Sequence, residues 1–150
     1  MAAYSLKDVE ASIEGPGGSF QIGSGIGLAE EGINIEPSGE VNIMTPGGDG
    51  EVMHSLKADR SGTVTVTVLR TSQTNARLMN LYNYQTSSSR YHGQNTVMVR
   101  NPVSGDVTTC TEVAFAAKPG LPYAVEGGKL VWTFHAGKID TILGTGTPEI

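Results

Sequence analysis

Gly62–Arg70 reads GTVTVTVLR, and its alternation sets the frame for the whole chain. Val64, Val66 and Val68 fall on one side of an extended backbone, with Thr63, Thr65 and Thr67 on the other. β-branched residues on both sides favour a strand over a helix, because each loses χ1 freedom against a helical turn. One side of this strand faces a core, and the other is polar but uncharged.

The same period of two runs outward in both directions. KDVEASI (7–13) sets Val9, Ala11 and Ile13 against Asp8, Glu10 and Ser12. NTVMVR (95–100) and VTTCTEVAFAA (107–117) are further strands, joined by a turn at NPVSGD (101–106). In KLVWTFHA (129–136), Leu130, Trp132 and Phe134 point inward and His135 turns away, exposed or at an interface. GINIE (32–36) and EVNIM (40–44) flank Pro37–Gly39, which predicts a hairpin turn between them. KPGLPYAVEGG (118–128) is loop. One stretch departs from this rhythm: SQTNARLMNLYNYQ (72–85) places Leu78, Leu81 and Tyr82 at helical spacing beside Met79. It predicts an amphipathic helix capped by Thr71 or Ser72. Together these predict a mainly β chain, a sandwich or barrel of about eight to ten strands with one packed α-helix, in a single domain over residues 1–150.

Composition narrows the function. The chain has 150 residues, enough for one core, and 17% charged residues where roughly a quarter is usual. Its formal net charge is −5, and its ten Lys and Arg are scattered. A nucleic-acid binder needs clustered cations to displace counterions from phosphates, so tight binding to DNA or an anionic membrane is disfavoured. An acidic wall past which DNA slides is compatible with the charge. A single cysteine, Cys110, makes no internal disulfide. The N-terminus lacks a secretory pattern, and no apolar run approaches the ~18 residues of a membrane helix. The expectation is a soluble chain made in a cytoplasm, without membrane insertion.

Chemistry-bearing motifs fail on spacing. In GPGGSFQIGSGIG (15–27), a dinucleotide fingerprint needs glycine three residues after Gly25, and Leu28 stands there. These glycines are expected to turn the chain, Gly15–Gly18 closing a hairpin and Gly23–Gly27 bending it. TPGGDGE (45–51) puts Asp49 and Glu51 in a glycine-rich loop without the alternate oxygen ligands of a calcium loop. His54, His92 and His135 are too dispersed for zinc, and no G-x-S-x-G elbow is present. No catalytic, cofactor or metal residues are expected.

Two features point to association. Thr63, Thr65, Thr67, Thr109 and Thr111 make polar strand positions with few charges, suited to a solvated face, a passage lining or a subunit contact. Gly39–Lys57 and Gly137–Ile150 are long segments expected to order on neighbouring copies. A different class, a small carbohydrate-binding β-sandwich, is suggested by Tyr91, Tyr123 and polar loops.

Several stretches, in order, carry a resemblance over nearly the whole chain: YSLKDVEASIEGPGG (4–18), GIGLAEEGINIE (25–36), GGDGEVMHSL (47–56), SGTVTV (61–66), LMNLYNYQ (78–85), HGQNT (92–96), GDVTTC (105–110) and EGGKLVWTFHAGKIDTILGTGTP (126–148). The chain resembles the tail tube proteins of contractile-tailed bacteriophages and prophages, which are related in fold to type VI secretion and pyocin tube proteins. The resemblance implies a non-enzymatic subunit without cofactor, whose hexameric rings stack into a conduit for DNA ejection inside a contractile sheath. Implied partners are further copies of itself, the tail sheath protein, the tape-measure protein, baseplate and tail terminator proteins, and DNA in transit without specific binding. It implies a place in the virion tail after assembly in the host bacterial cytoplasm. Self-assembly contacts are expected from an extended loop (39–57), through Gly47, Asp49, Glu51, Met53, His54 and Ser55. The C-terminal segment (137–150) is expected to add Lys138, Ile139, Asp140 and Leu143. Thr63, Thr65 and Thr67 are candidates for the lumen or the core. A tube-terminating or tube-initiating ring of the same fold remains an alternative.

Overall fold

Burying alternate side chains of many short strands requires a sheet that curls on itself, and the computed structural model has that form over the residues it describes, 3–23 and 28–146. In chain order the elements are β1 (Glu10–Gly15), β2 (Gly18–Gly23), β3 (Leu28–Pro37), β4 (Asn42–Pro46), β5 (Val52–Leu56), β6 (Gly62–Leu69), α1 (Thr74–Gln85), β7 (Asn95–Asn101), β8 (Asp106–Ala117) and β9 (Lys129–Ile142). A 3-10 turn at Leu6–Asp8 precedes β1. Seven strands form one antiparallel sheet in the order β2-β1-β7-β8-β9-β6-β3, and β4 and β5 form a second, two-stranded sheet. The mainly β chain with one helix is as the alternation predicts.

β6 is central to the core. Val64 lies opposite Phe134 and Val66 opposite Trp132 on β9, while Val66 also lies opposite Ile33 on β3. These valines, Trp132 and Phe134 are fully buried, and Leu78 and Leu81 of α1 close over them. Phe115 joins this layer, its ring 4.8 Å from Phe134 and 5.5 Å from Tyr82. Ile22 on one edge strand, and Ile33 and Ile35 on the other, reach the same core, so the sheet curls into an open barrel.

Helix α1 starts two residues later than its pattern suggests. Ser72 still serves its start, its Oγ accepting from the Thr74 N–H at 3.3 Å, while Gln73 in the cap position makes no side-chain bond. At the other end Gln85 is buried and exchanges two amide hydrogen bonds with buried Asn95, both 2.6 Å, and donates a third to the Pro16 carbonyl at 2.9 Å. This pins the helix to β7 and to the β1–β2 turn. That turn is the expected hairpin, with Gly15 opposite Gly18, and Gly15 has no room for a Cβ against the Asn95 amide. Replacing Gln85 by Leu strands the Asn95 amide and the Pro16 carbonyl, and is expected to lower unfolding free energy by about 2–3 kcal/mol in urea titrations. The bend expected at Gly23–Gly27 lies mostly outside the described residues.

Three expectations need correction. Pro37–Gly39 does not turn a hairpin: β3 pairs with β6, β4 pairs with β5, and the Ser38 N–H donates to the Ser61 carbonyl at 3.0 Å. Alternation identifies strands but not partners, and here the chain leaves the main sheet. Residues 39–57, read as a loop, contain the β4–β5 hairpin, closed by a Gly47–Gly50 turn in which Gly50 has φ +91°. Residues 137–142, placed in the segment expected to order on neighbouring copies, continue β9 and pair with β8 of the same chain. A bulge conceals this continuation: Glu112 has φ +54°, and β8 shifts register against β7 between positions 110 and 113. Cys110 and Val113, three residues apart, are therefore both buried, as are their β9 partners Ile139 (in part) and Ala136.

Candidate assembly interface

The hairpin β4–β5 is built like a strand pair and buried like a loop. Its register places Met44 opposite His54, Thr45 opposite Met53 and Ile43 opposite Ser55. Met44, Pro46, Val52 and Leu56 thus share one face, and Ile43 and Met53 the other. None joins the hydrophobic core, and Leu56 and Met53 are 77% and 60% exposed. An isolated two-stranded hairpin is marginal in water, and a ribbon apolar on both faces is an association surface. At its tip Asp49 accepts from the Glu51 N–H at 3.1 Å, and on one face the Asn42 amide and His54 Nδ1 are 3.1 Å apart.

The root of the hairpin is held by polar side chains. Asp59 accepts from both the N–H and the hydroxyl of Ser61, at 2.9 and 2.6 Å, and from the Ser38 hydroxyl at 3.4 Å. Chiefly the Ser61 hydroxyl holds its carboxyl below the ordinary 3.8. A depressed carboxylate contributes order that is complete above 3.8 and fades as pH falls through the lower folded value. An NMR titration of Asp59 should give a midpoint below 3.8; a midpoint at or above it contradicts these bonds. Beside the root is a cleft of about 430 Å³, lined in part by Ile35, Val41, Thr108 and Ile139.

The end of β9 abuts this root. Ile139 donates its N–H to the Arg60 carbonyl at 2.8 Å and turns its side chain partly inward. Lys138 and Asp140 are exposed and 3.7 Å apart, and Ile142 and Leu143 are 72% and 74% exposed. Among the self-assembly candidates, Gly47, Asp49, Glu51, Met53, His54 and half-buried Ser55 therefore share one hairpin, with Lys138, Asp140 and Leu143 along the neighbouring strand end. Thr63 and Thr65 are half-buried opposite the core valines, and Thr67 is buried.

Cys110 is fully buried, and desolvation, with Asp140 nearby, pushes its thiol up to about 11. It should resist thiol reagents at pH 8 in the native protein and react once unfolded; rapid native labelling would contradict its burial. The Tyr91 ring stacks on Tyr84 at 4.8 Å, and the Arg70 guanidinium lies 4.9 Å from the Tyr123 ring centre. Among the described residues no cluster of His, Cys, Asp and Glu fits a metal ion, and no helix is long and apolar enough to cross a membrane.

The model of the bacteriophage PhiTE tail tube protein family matches residues 1–144. This chain belongs to that tail tube family. It is a structural subunit of a phage tail tube, in a family that is not enzymatic. No curated protein matches it. Among solved structures, a chain from the tail of an empty GTA particle, refined helically with C6 symmetry, superposes with TM-score 0.63 at 14% identity, covering 93% of this chain and 99% of that one. A chain of the PVC sheath-tube complex, an extracellular contractile injection system in the extended state, gives TM-score 0.60 at 8% identity, covering 94% and 92%. A chain of the PVC sheath/tube terminator in the same state gives 0.56 at 12% identity, covering 89% and 92%. At these identities the likeness is one of fold.

Sequence reasoning on this tube subunit missed part of the ribbon. Val41, Ile43, Met44, Val52 and Leu56 are exposed apolar residues in it. Their signal was present: apolar residues on both sides of a Pro-Gly-Gly turn, without the polar alternation of a half-buried pair.

Proposed function

We propose that this tail tube subunit assembles into hexameric rings that stack into the conduit for DNA ejection inside a contractile sheath. The β4–β5 ribbon carries the proposal, because its apolar faces need a cover that the subunit itself does not supply. Among the described strands, β2 and β3 lie at the sheet's edges and offer backbone groups to neighbours in a ring, which closure would satisfy. The C6 symmetry of the GTA tail and the PVC sheath-tube complex support six-fold rings and a sheath partner. A subunit charge of −5 disfavours adhesion of DNA to the wall, over a screening length of ~8 Å at physiological salt. In this reading the tube meets the tape-measure protein, baseplate and terminator in the virion, after assembly in the host cytoplasm. Negative-stain images of the concentrated protein should show hollow tubes; a strictly monomeric protein would sink the proposal. Since the terminator chain shares the fold, copy number separates the two roles: a tube subunit is among the most abundant tail proteins, a terminator supplies one ring.

A further inference from the structure

We infer that the loop between β8 and β9, residues 118–128, is the seat on which the β4–β5 hairpin of the next copy docks. The inference rests on the stacking reading and adds the receiving surface. Leu121, Tyr123 and Val125 are exposed apolar residues on this loop, Tyr123 to 85%. Arg70, at the end of β6, covers one face of the Tyr123 ring and holds the loop to the barrel together with its N–H, which donates to the Gly128 carbonyl at 3.3 Å.

Position favours this pairing. The hairpin segment leaves the barrel after Pro37 and rejoins it at Gly62, opposite Ala136, and the loop rejoins it at Lys129, opposite Leu69. The roots of the two segments therefore sit at opposite ends of the β6–β9 ladder, which is about 23 Å long at strand rise. Patches at opposite ends mate head to tail, and such a contact propagates instead of closing as a dimer. Charge favours it too. Residues 42–56 carry Asp49 and Glu51 with no Lys or Arg, whereas the loop end carries Arg70, Lys118 and Lys129 against Glu126. Hairpin-on-hairpin or loop-on-loop contacts would set like charges together; hairpin-on-loop opposes them.

The test is a full-length Glu51→Cys, Val125→Cys double variant, with buried Cys110 as a silent background. Tubes treated with a short bis-maleimide should give a ladder of covalent multimers in denaturing gels, and each single variant should give none beyond dimers. Tubes that form but give no ladder overturn the docking seat while stacking stands. No tubes from the unmodified chain overturns both. Should the double variant fail to assemble, Asp49→Lys decides: it should shorten tubes on the order of tenfold, and Lys118→Glu in the same chain should restore them. Failure of that restoration overturns the seat.

Discussion

Replacing residues 42–56 by a short Gly-Ser turn is expected to leave a folded subunit that forms no tubes. The hairpin pairs only with itself among the described strands, and none of its apolar side chains enters the core. Its removal leaves the Ser38–Ser61 backbone bond and the Asp59–Ser61 bonds available to close the gap. The melting temperature should therefore change by no more than about 2 °C, since surface changes away from core and caps fall within ~0.5 kcal/mol. Assembly responds in the opposite way. Each ~1.4 kcal/mol lost at a contact is tenfold in affinity, and a ring multiplies that loss by its number of subunits. Circular dichroism and electron microscopy on the same sample check both halves. Tubes of normal length from this variant would remove the hairpin from the account.

Trp132→Ala is expected to cost about 3–5 kcal/mol, a large share of the ~5–15 kcal/mol that holds a domain of this kind. Trp132 is fully buried, with its ring edge-on to Phe115 at 6.0 Å. Its Nε1 donates to the Asn75 side-chain Oδ1 at 3.1 Å, and the Asn75 Nδ2 donates to the Leu69 carbonyl at 2.9 Å. One side chain thus joins the central sheet, the helix and the end of β6. Urea unfolding followed by circular dichroism should show the midpoint falling in proportion to that loss, or the variant unfolded at 37 °C. Trp132→Phe keeps most of the packing and loses the hydrogen bond, so it should cost only about 1–2 kcal/mol. Equal losses for the two variants would mean that the bond to Asn75, not the packing, holds this region.

Residues whose alternation has one buried side were legible directly. Val64, Val66 and Val68, Trp132 and Phe134, and Leu78 and Leu81 sit where a period of two or of 3.6 puts them. Pairing was not legible, because Ile33 or Met44 alternates the same way whichever strand lies beside it. The continuation of β9 was hidden for a different reason. The bulge at Glu112, opposite Gly137, changes which side of the strand faces inward, and a fixed period cannot follow that change. The length and composition of segments 39–57 and 137–150 mark them as segments expected to order on neighbouring copies. That the first contains a ribbon apolar on both faces depends on a register that sequence alone does not give.

Cryo-electron microscopy with helical reconstruction of tubes grown from the purified chain tests the central claim most directly. The account predicts rings of six subunits in which the β4–β5 hairpin crosses to an adjacent copy and buries Met44, Met53 and Leu56 there. A chain that stays monomeric at high concentration, or tubes in which that hairpin remains solvent-exposed, would contradict it.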